Sequence, residues 1–350
     1  MSMDASTELL RIEHLSKTFA IGGGMFKKPL QLKALQDISF SIEEGETLGI
    51  VGESGCGKST LGRCILQLLR PDGGRVLWMG KNLLDLDAES MRKKRRELQI
   101  IFQDPQASLN PRMTVGDIIA DPLKTLLPEL NAAQRRERVM KMMESVGLQP
   151  EMINRYPHEF SGGQAQRIGI ARALITEPKL IVCDEPVSAL DVSIQAQILN
   201  LLTELKEQFG LTLIFISHNL SVVRHVSDRI LVLYLGRMVE LAPGDALYDD
   251  PKHPYTKALL TAVPVADPKR ARQRNIDALQ GEIPSPINPP SGCAFRTRCR
   301  YAVARCAEIL PPLENAGPGR LVACIRWEEI DHAAGMESAA ARVQVLKETL

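Results

Sequence analysis

Nine consecutive residues, Gly52-Glu-Ser-Gly-Cys-Gly-Lys-Ser-Thr60, have the spacing G-x-x-x-x-G-K-[ST]. Glycines at these positions let the backbone curl with its N–H groups turned inward around an anion. Lys58 adds a cation for the outer phosphates, and the Ser59 hydroxyl can ligate Mg²⁺. The stretch reads as a nucleoside triphosphate site, with Gly52, Ser54, Gly55, Cys56, Gly57, Lys58, Ser59 and Thr60 as candidate contacts. Downstream, the apolar run Lys179-Leu-Ile-Val-Cys-Asp184 is followed by Glu185, placing two carboxylates side by side at a strand end. Beside a phosphate loop, such a pair can supply a Mg²⁺ ligand at Asp184 and a water-activating base at Glu185. Gln103 and His218 each follow a further apolar run, where side chains face the ligand crevice of an α/β sheet. Ser161-Gly162-Gly163-Gln164 stands in front of a helical pattern, a second start suited to an anion.

These residues need elements to place them. Thr47–Val51 is a short apolar strand entering the phosphate loop, and residues 61–69 have helical spacing leaving it. Leu9 to Phe19 and Ala34 to Glu44 read as strands; in the second, Ile38, Phe40 and Ile42 alternate with Asp37, Ser39 and Ser41. A glycine-rich loop, Ile21–Pro29, joins them, and the Phe19 ring at the end of the first could stack on a purine or pack in the core. Arg70–Gly74 is a turn and Arg75–Trp78 a strand. The basic run within Met91–Glu97 fits a solvated helix face better than a nucleic-acid surface. Leu98–Phe102 is a strand that delivers Gln103. From Asp104 to about Pro157 the pattern is helical; Val139, Met142, Met143 and Val146 share one apolar face, and Gly147 stops that helix. Ser188–Asp191 is expected to cap a helix over Val192–Phe209, and Leu211–Ser217 is a buried strand leading to His218.

A chain of 350 residues, 44% hydrophobic, can bury a full core in two or three domains. The net charge of +1 implies no polyanionic partner, so no nucleic acid is expected. No apolar run reaches the roughly 18 residues of a membrane-spanning helix. The acidic, non-apolar beginning Met-Ser-Met-Asp-Ala-Ser-Thr-Glu8 is not that of a signal peptide, so a cytoplasmic chain is expected.

In this order, Phe19, the phosphate loop, Gln103, Ser161–Gln164, Asp184–Glu185 and His218 resemble the ATP-binding subunits of ABC transporters over about the first 240 residues. The resemblance implies an α/β fold: a P-loop NTPase core with an antiparallel β subdomain, an inserted helical subdomain and a C-terminal cysteine-rich extension. It implies two subunits head to tail, each ATP lying between the phosphate loop of one and the Ser-Gly-Gly-Gln signature of the other. Phe19 would stack on adenine. Ser59, Gln103 and Asp184 would organise Mg²⁺, Glu185 would polarise the attacking water, His218 would hold the γ-phosphate, and Asp191 would meet the partner subunit. One departure is Ala165, where the family usually has a polar residue; little effect on ATP binding is expected. Glu185 is intact, which argues against a non-hydrolysing subunit.

The last third narrows the resemblance. His253–Leu260, Gly281–Pro290, Gly292–Cys299 and Phe102–Arg112 look like the dipeptide/oligopeptide importer ATPases, especially the second, DppF-type subunit. Such importers imply a second paralogous ATPase, two transmembrane permease subunits, an extracytoplasmic peptide-binding protein, and a peripheral place on the cytoplasmic face of the inner membrane. Relatives also carry nickel, antimicrobial peptides or glutathione, and a soluble ABC ATPase uncoupled from transport is the rival reading. The expected division is 8–250 for the ATPase domain, with 104–170 as its helical insertion, then 251–330 for the transporter C-terminal region and 331–350 for a tail. Cys293, Cys299, Cys306 and Cys324 have five, six and seventeen residues between successive members. A reducing cytosol disfavours disulfides, and the spacing leaves zinc, a [4Fe–4S] cluster or unligated thiols open. The resemblance favours the structural [4Fe–4S] cluster over zinc, with Arg296, Arg298, Arg300 and Arg305 offsetting its charge.

Overall fold

The structure is a computed structural model that describes residues 8–22, 29–261 and 281–331. Two sheets carry it. In the first, β1 (Glu8–Ile21) lies between β2 (Leu30–Glu43) and β4 (Gly73–Trp78), and β5 (Lys81–Asn82) adds to β4, every pairing being antiparallel. Ile12 faces Phe40 on one side and Val76 on the other, and Leu10 faces Trp78, so cross-strand apolar pairs fix the register. The strands β1 and β2 run longer than the apolar pattern alone predicts. Most of their connection, residues 23–28, lies outside the described residues, as does the tail beyond residue 331.

The second sheet has, among the described residues, eight strands. Four of them are parallel neighbours of the site: β3 (Thr47–Val51), β6 (Leu98–Ile101), β7 (Leu180–Asp184) and β8 (Thr212–Ser217). Every residue of β3, β7 and β8 is buried, so they read as continuous apolar runs rather than alternating ones. Next to β3 comes β9 (Arg229–Tyr234), then antiparallel β10 (Arg237–Pro243). Two short strands from the C-terminal region, β11 (Glu314–Asn315) and β12 (Leu321–Val322), extend that edge through β12 pairing with β10. Strands β11 and β12 thus join the C-terminal region to the main sheet, and Tyr255 and Phe295 are buried in its core.

Between β6 and β7 the chain is helical. α3 (Pro105–Ser108), α4 (Val115–Leu126), α5 (Ala132–Ser145) and α6 (Gly162–Leu174) begin at Asp104, Thr114, Asn131 and Ser161, whose side chains each accept an amide hydrogen of the first turn. Asn131 and Ser161 form reciprocal caps with Gln134 and Gln164. Val139, Met142 and Met143 of α5 are buried as their spacing requires, and Gly147 leaves the helix at φ 71°. The basic run sits on α2 (Ala88–Lys94), where Met91 is buried while Lys93 and Lys94 pair with Glu89 and Glu97. No helix among the described residues is long and apolar enough to cross a membrane.

Phe215, in the middle of β8 and 1% exposed, touches the core from the central strand. Phe215→Ala should lower stability by about 3–5 kcal/mol, read from the shift of the denaturant unfolding midpoint; a change within about 0.5 kcal/mol would show that this strand is not the packed centre.

Candidate nucleotide site

β3 runs into the phosphate loop, and α1 (Lys58–Ile65) leaves it. Two glycines are obligatory there. Gly57, at φ 106°, has the Ala34 carbonyl oxygen 2.4 Å from where a Cβ would sit, and at Gly52 the Leu233 carbonyl oxygen would be 2.2 Å away. The loop is therefore squeezed between β2 and β9, with its open side toward a cavity of about 470 Å³. Lys58 is 5% exposed and donates from Nζ to the carbonyl oxygens of Gly52 (2.8 Å) and Glu53 (3.1 Å).

The strand ends converge on the same cavity. Ser54, Gly55, Gly57, Lys58, Ser59 and Thr60 line it, as do Phe19, Gln103, Glu185 and His218. Phe19 is half-buried at the cavity wall, with Lys17 Nζ 5.7 Å from its ring, so it does not belong to the core. Ser59 Oγ donates to Asp184 Oδ1 at 2.7 Å. Burial raises the Asp184 pKa, and the Ser59 hydrogen bond opposes that shift. Gln103 Nε2 donates to Glu185 Oε2 (3.1 Å), and His218 Nδ1 lies 3.2 Å from the same oxygen. Glu185 itself has φ 49°, a left-handed conformation uncommon outside glycine, held by its N–H donating to the Ile216 carbonyl at 3.0 Å. Cys56 is buried beside the loop, and burial pushes its thiol pKa up, so it packs rather than reacts.

Ser161–Gln164 does not join this cavity. Ser161 is exposed at the start of α6. A Cβ at Gly162 would touch Leu190 (3.4 Å) and one at Gly163 would press on Ile194 (2.7 Å), so the signature abuts the start of α7 (Val192–Phe209). Asp191 stands there, grouped with the signature rather than with the phosphate loop. It occupies the N-cap position of α7, but its side chain makes no capping hydrogen bond; Gln195 Nε2 instead donates to the Leu190 carbonyl (2.9 Å). Capping by the Ser188–Asp191 side chains is thus not what starts this helix. Ala165 is fully buried in α6, where a polar side chain would need a hydrogen-bond partner.

The four late cysteines do come together. All line one cavity of about 20 Å³, room for about one water. Burial raises the thiols of Cys293, Cys299 and Cys324 to about 11. Among the described residues, however, no three His, Cys, Asp or Glu side chains are arranged to hold a metal ion. The [4Fe–4S] and zinc expectations therefore find the donors gathered but not their ligand geometry. The neighbouring arginines have further partners. Arg298 pairs with Glu53 of the phosphate loop, Arg296 Nε donates to the Ser291 carbonyl (2.9 Å), and Arg300 lies over the Tyr301 ring. Arg326, which spacing did not indicate, is a cation coupled to Cys299 and Cys324.

A phosphate loop between β3 and α1, with carboxylates at the end of β7, defines a P-loop nucleoside triphosphatase. Residues 35–188 match the family model of the ABC transporter, and residues 239–306 match that of the oligopeptide/dipeptide transporter C-terminal region. The oligopeptide transport ATP-binding protein OppF of Haemophilus influenzae is 57% identical over 321 residues, covering 91% of this chain and 97% of that protein. OppF of Escherichia coli is also 57% identical, covering 90% and 96%. The dipeptide transport ATP-binding protein DppF of Haemophilus influenzae is 50% identical, covering 91% and 97%. An ATP-binding cassette solved as a dimer in a post-hydrolysis state with ADP and phosphate superposes with TM-score 0.60 and 31% identity, over 67% of this chain and 98% of that one. The chain belongs to the ATP-binding subunits of ABC transporters, in the branch that carries the oligopeptide/dipeptide transporter C-terminal region, and is an ATPase.

The raised pKa of Asp184 has a consequence for stability. A carboxyl bound more tightly to its proton when folded contributes stability below the ordinary carboxylate range and loses it as pH rises through the raised value. At neutral pH its charge is a net cost until a cation neutralises it. Asp184→Asn should therefore raise the thermal midpoint of the nucleotide-free chain at pH 7 while weakening Mg²⁺ affinity about 10- to 100-fold. A lowered midpoint in calorimetry would contradict this.

Proposed function

We propose that this chain is the ATP-hydrolysing subunit that powers import of dipeptides or oligopeptides across the cytoplasmic membrane. The supporting observation is a divided site. Phosphate loop, Gln103, Glu185 and His218 share one cavity, whereas Ser161 and Asp191 stand apart at the exposed junction of α6 and α7. A subunit whose second anion-binding element lies outside the cavity of its own phosphate loop needs another subunit to close the site. The peptide reading comes from the C-terminal region and from relatives named for oligopeptide and dipeptide transport. The partner is a second paralogous ATPase. Two transmembrane permease subunits and an extracytoplasmic peptide-binding protein complete the assembly, which sits peripherally on the cytoplasmic face of the inner membrane.

In this reading the antiparallel sheet carrying Phe19 receives the adenine. ATP entry lets Lys58 exchange the carbonyl oxygens of Gly52 and Glu53 for phosphate oxygens, aided by main-chain N–H groups of residues 52–60. Ser59, Gln103 and Asp184 would hold Mg²⁺, which supplies charge neutralisation for the β- and γ-phosphates. Glu185 accepts a proton from the attacking water. Gln103 and His218 both lie against Glu185 Oε2, so moving Gln103 to Mg²⁺ and His218 to the γ-phosphate would free that oxygen for the water. The partner's signature brings donors to the same phosphate at closure. Residues 8–250 form the ATPase domain, the helical insertion 104–170 faces the permeases, and 251–330 form the C-terminal region.

We also read the four gathered thiols as a metal-holding group of structural role, a [4Fe–4S] cluster ahead of zinc. Convergence of four thiols from 293 to 324 on one cavity supports this; formation of the ligand set requires them to deprotonate and close in around the metal. Anaerobically purified protein should contain about four iron and four acid-labile sulfide per chain; stoichiometric zinc, or no metal, would overturn the cluster.

In the reconstituted importer, with the second ATPase subunit's equivalent glutamate also replaced, Glu185→Gln should cut ATP hydrolysis and peptide uptake about 10²- to 10⁴-fold while ATP still binds. Unchanged uptake of labelled peptide would remove the proposed function.

A further inference from the structure

Glu53, the first variable residue of the phosphate loop, is held through all three of its polar groups. Its carboxylate meets the Arg298 guanidinium in a two-pronged pair, Nη1 to Oε2 at 2.6 Å and Nη2 to Oε1 at 2.9 Å. Its backbone N–H donates to Tyr255 Oη at 2.9 Å. Its carbonyl accepts from Lys58 Nζ at 3.1 Å. The clamp is built rather than casual. The Arg298 side chain is 4% exposed and that of Glu53 20%. Tyr255 is fully buried, 4.6 Å from the Tyr234 ring and 5.3 Å from that of Phe295. The Arg298 backbone N–H donates to the Phe295 carbonyl at 3.0 Å, and its guanidinium lies 6.0 Å from the Tyr234 ring, beside that aromatic cluster.

We infer that Arg298 and Tyr255, both from the C-terminal region, are positioning residues of the phosphate loop and set its affinity for ATP. A carboxylate inside a loop that receives a triphosphate opposes the ligand's charge. The fork of Arg298 neutralises it, and a planar guanidinium matches both oxygens as a lysine could not. Tyr255 Oη accepts the Glu53 N–H, and because that N–H shares a peptide plane with the Gly52 carbonyl, the bond aims the Gly52 carbonyl at Lys58 and fixes where that ammonium rests. Removing Arg298 leaves a partly buried carboxylate unpaired beside the anion site, which costs more than removing both partners together. This rests on the reading of residues 52–60 as the ATP site.

The test is equilibrium binding of Mg-ATP to the full-length chain, with thermal unfolding followed in parallel and kcat and KM measured in the assembled importer. Arg298→Gln should raise the Kd about tenfold, equivalent to about 1.4 kcal/mol. Arg298→Lys should fall between wild type and Arg298→Gln. Glu53→Gln combined with Arg298→Gln should return the Kd to within about threefold of wild type, since the unpaired charge is gone. Tyr255→Phe, which keeps the packed ring, should raise KM severalfold with kcat unchanged. Wild-type affinity in both Arg298→Gln and Tyr255→Phe, or a double variant as weak as Arg298→Gln alone, would overturn the inference. If Arg298→Gln does not fold, Tyr255→Phe decides: unchanged KM overturns it. Lys58→Ala separates the two levels, because wild-type ATP binding by that variant would remove the ATP site itself, whereas its loss beside unaffected Arg298 variants removes only the clamp.

Discussion

Main-chain N–H groups can surround a phosphate only where no side chain intrudes between the loop and what is packed behind it. Here the backing is two carbonyl oxygens, of Ala34 on β2 and Leu233 on β9, lying where the Cβ atoms of residues 57 and 52 would be. The loop is thus moulded between the two sheets, and their relative placement fixes its shape. This explains why a strand of the antiparallel sheet, remote from Asp184 and Glu185 in sequence, is part of the site's wall. It also explains why the residues that follow β3, β6, β7 and β8 arrive at one crevice: parallel strands in one sheet end on one edge.

The same crevice holds unfavourable arrangements that a nucleotide would relieve. Asp184 is a carboxylate that burial drives toward its protonated form, and Glu185 occupies a left-handed backbone conformation. Lys58 satisfies its ammonium on the loop's own carbonyls. The first two are local costs accepted for a site that binds charge.

Much of this was legible in the sequence because it is local. The apolar runs that become β3, β7 and β8, the helix start at Ser161, the buried face of α5 and the residues at strand ends all follow from short-range pattern. The missing parts are long-range. Arg298 was read as a counter-charge for the neighbouring cysteines, yet it pairs with Glu53, 245 residues away. Tyr255 gave no signal beyond a family-like tail. The cysteines gather as their clustering suggested, but spacing carries no information on how their sulfur atoms are directed. Asp191 has the residue type and position of a cap, but nothing local shows that its side chain makes no capping bond.

The account holds that this chain supplies half of each ATP site, and that the signature at Ser161–Gln164 completes the other half in a neighbouring subunit. Hydrogen–deuterium exchange of the backbone amides, compared with and without Mg-ATP, tests this most directly. The account predicts that residues 52–60 become protected in the isolated chain and in the assembled importer alike, whereas residues 161–165 become protected in the importer alone. Signature amides that stay as exchangeable with Mg-ATP as without it in the assembled importer would contradict it.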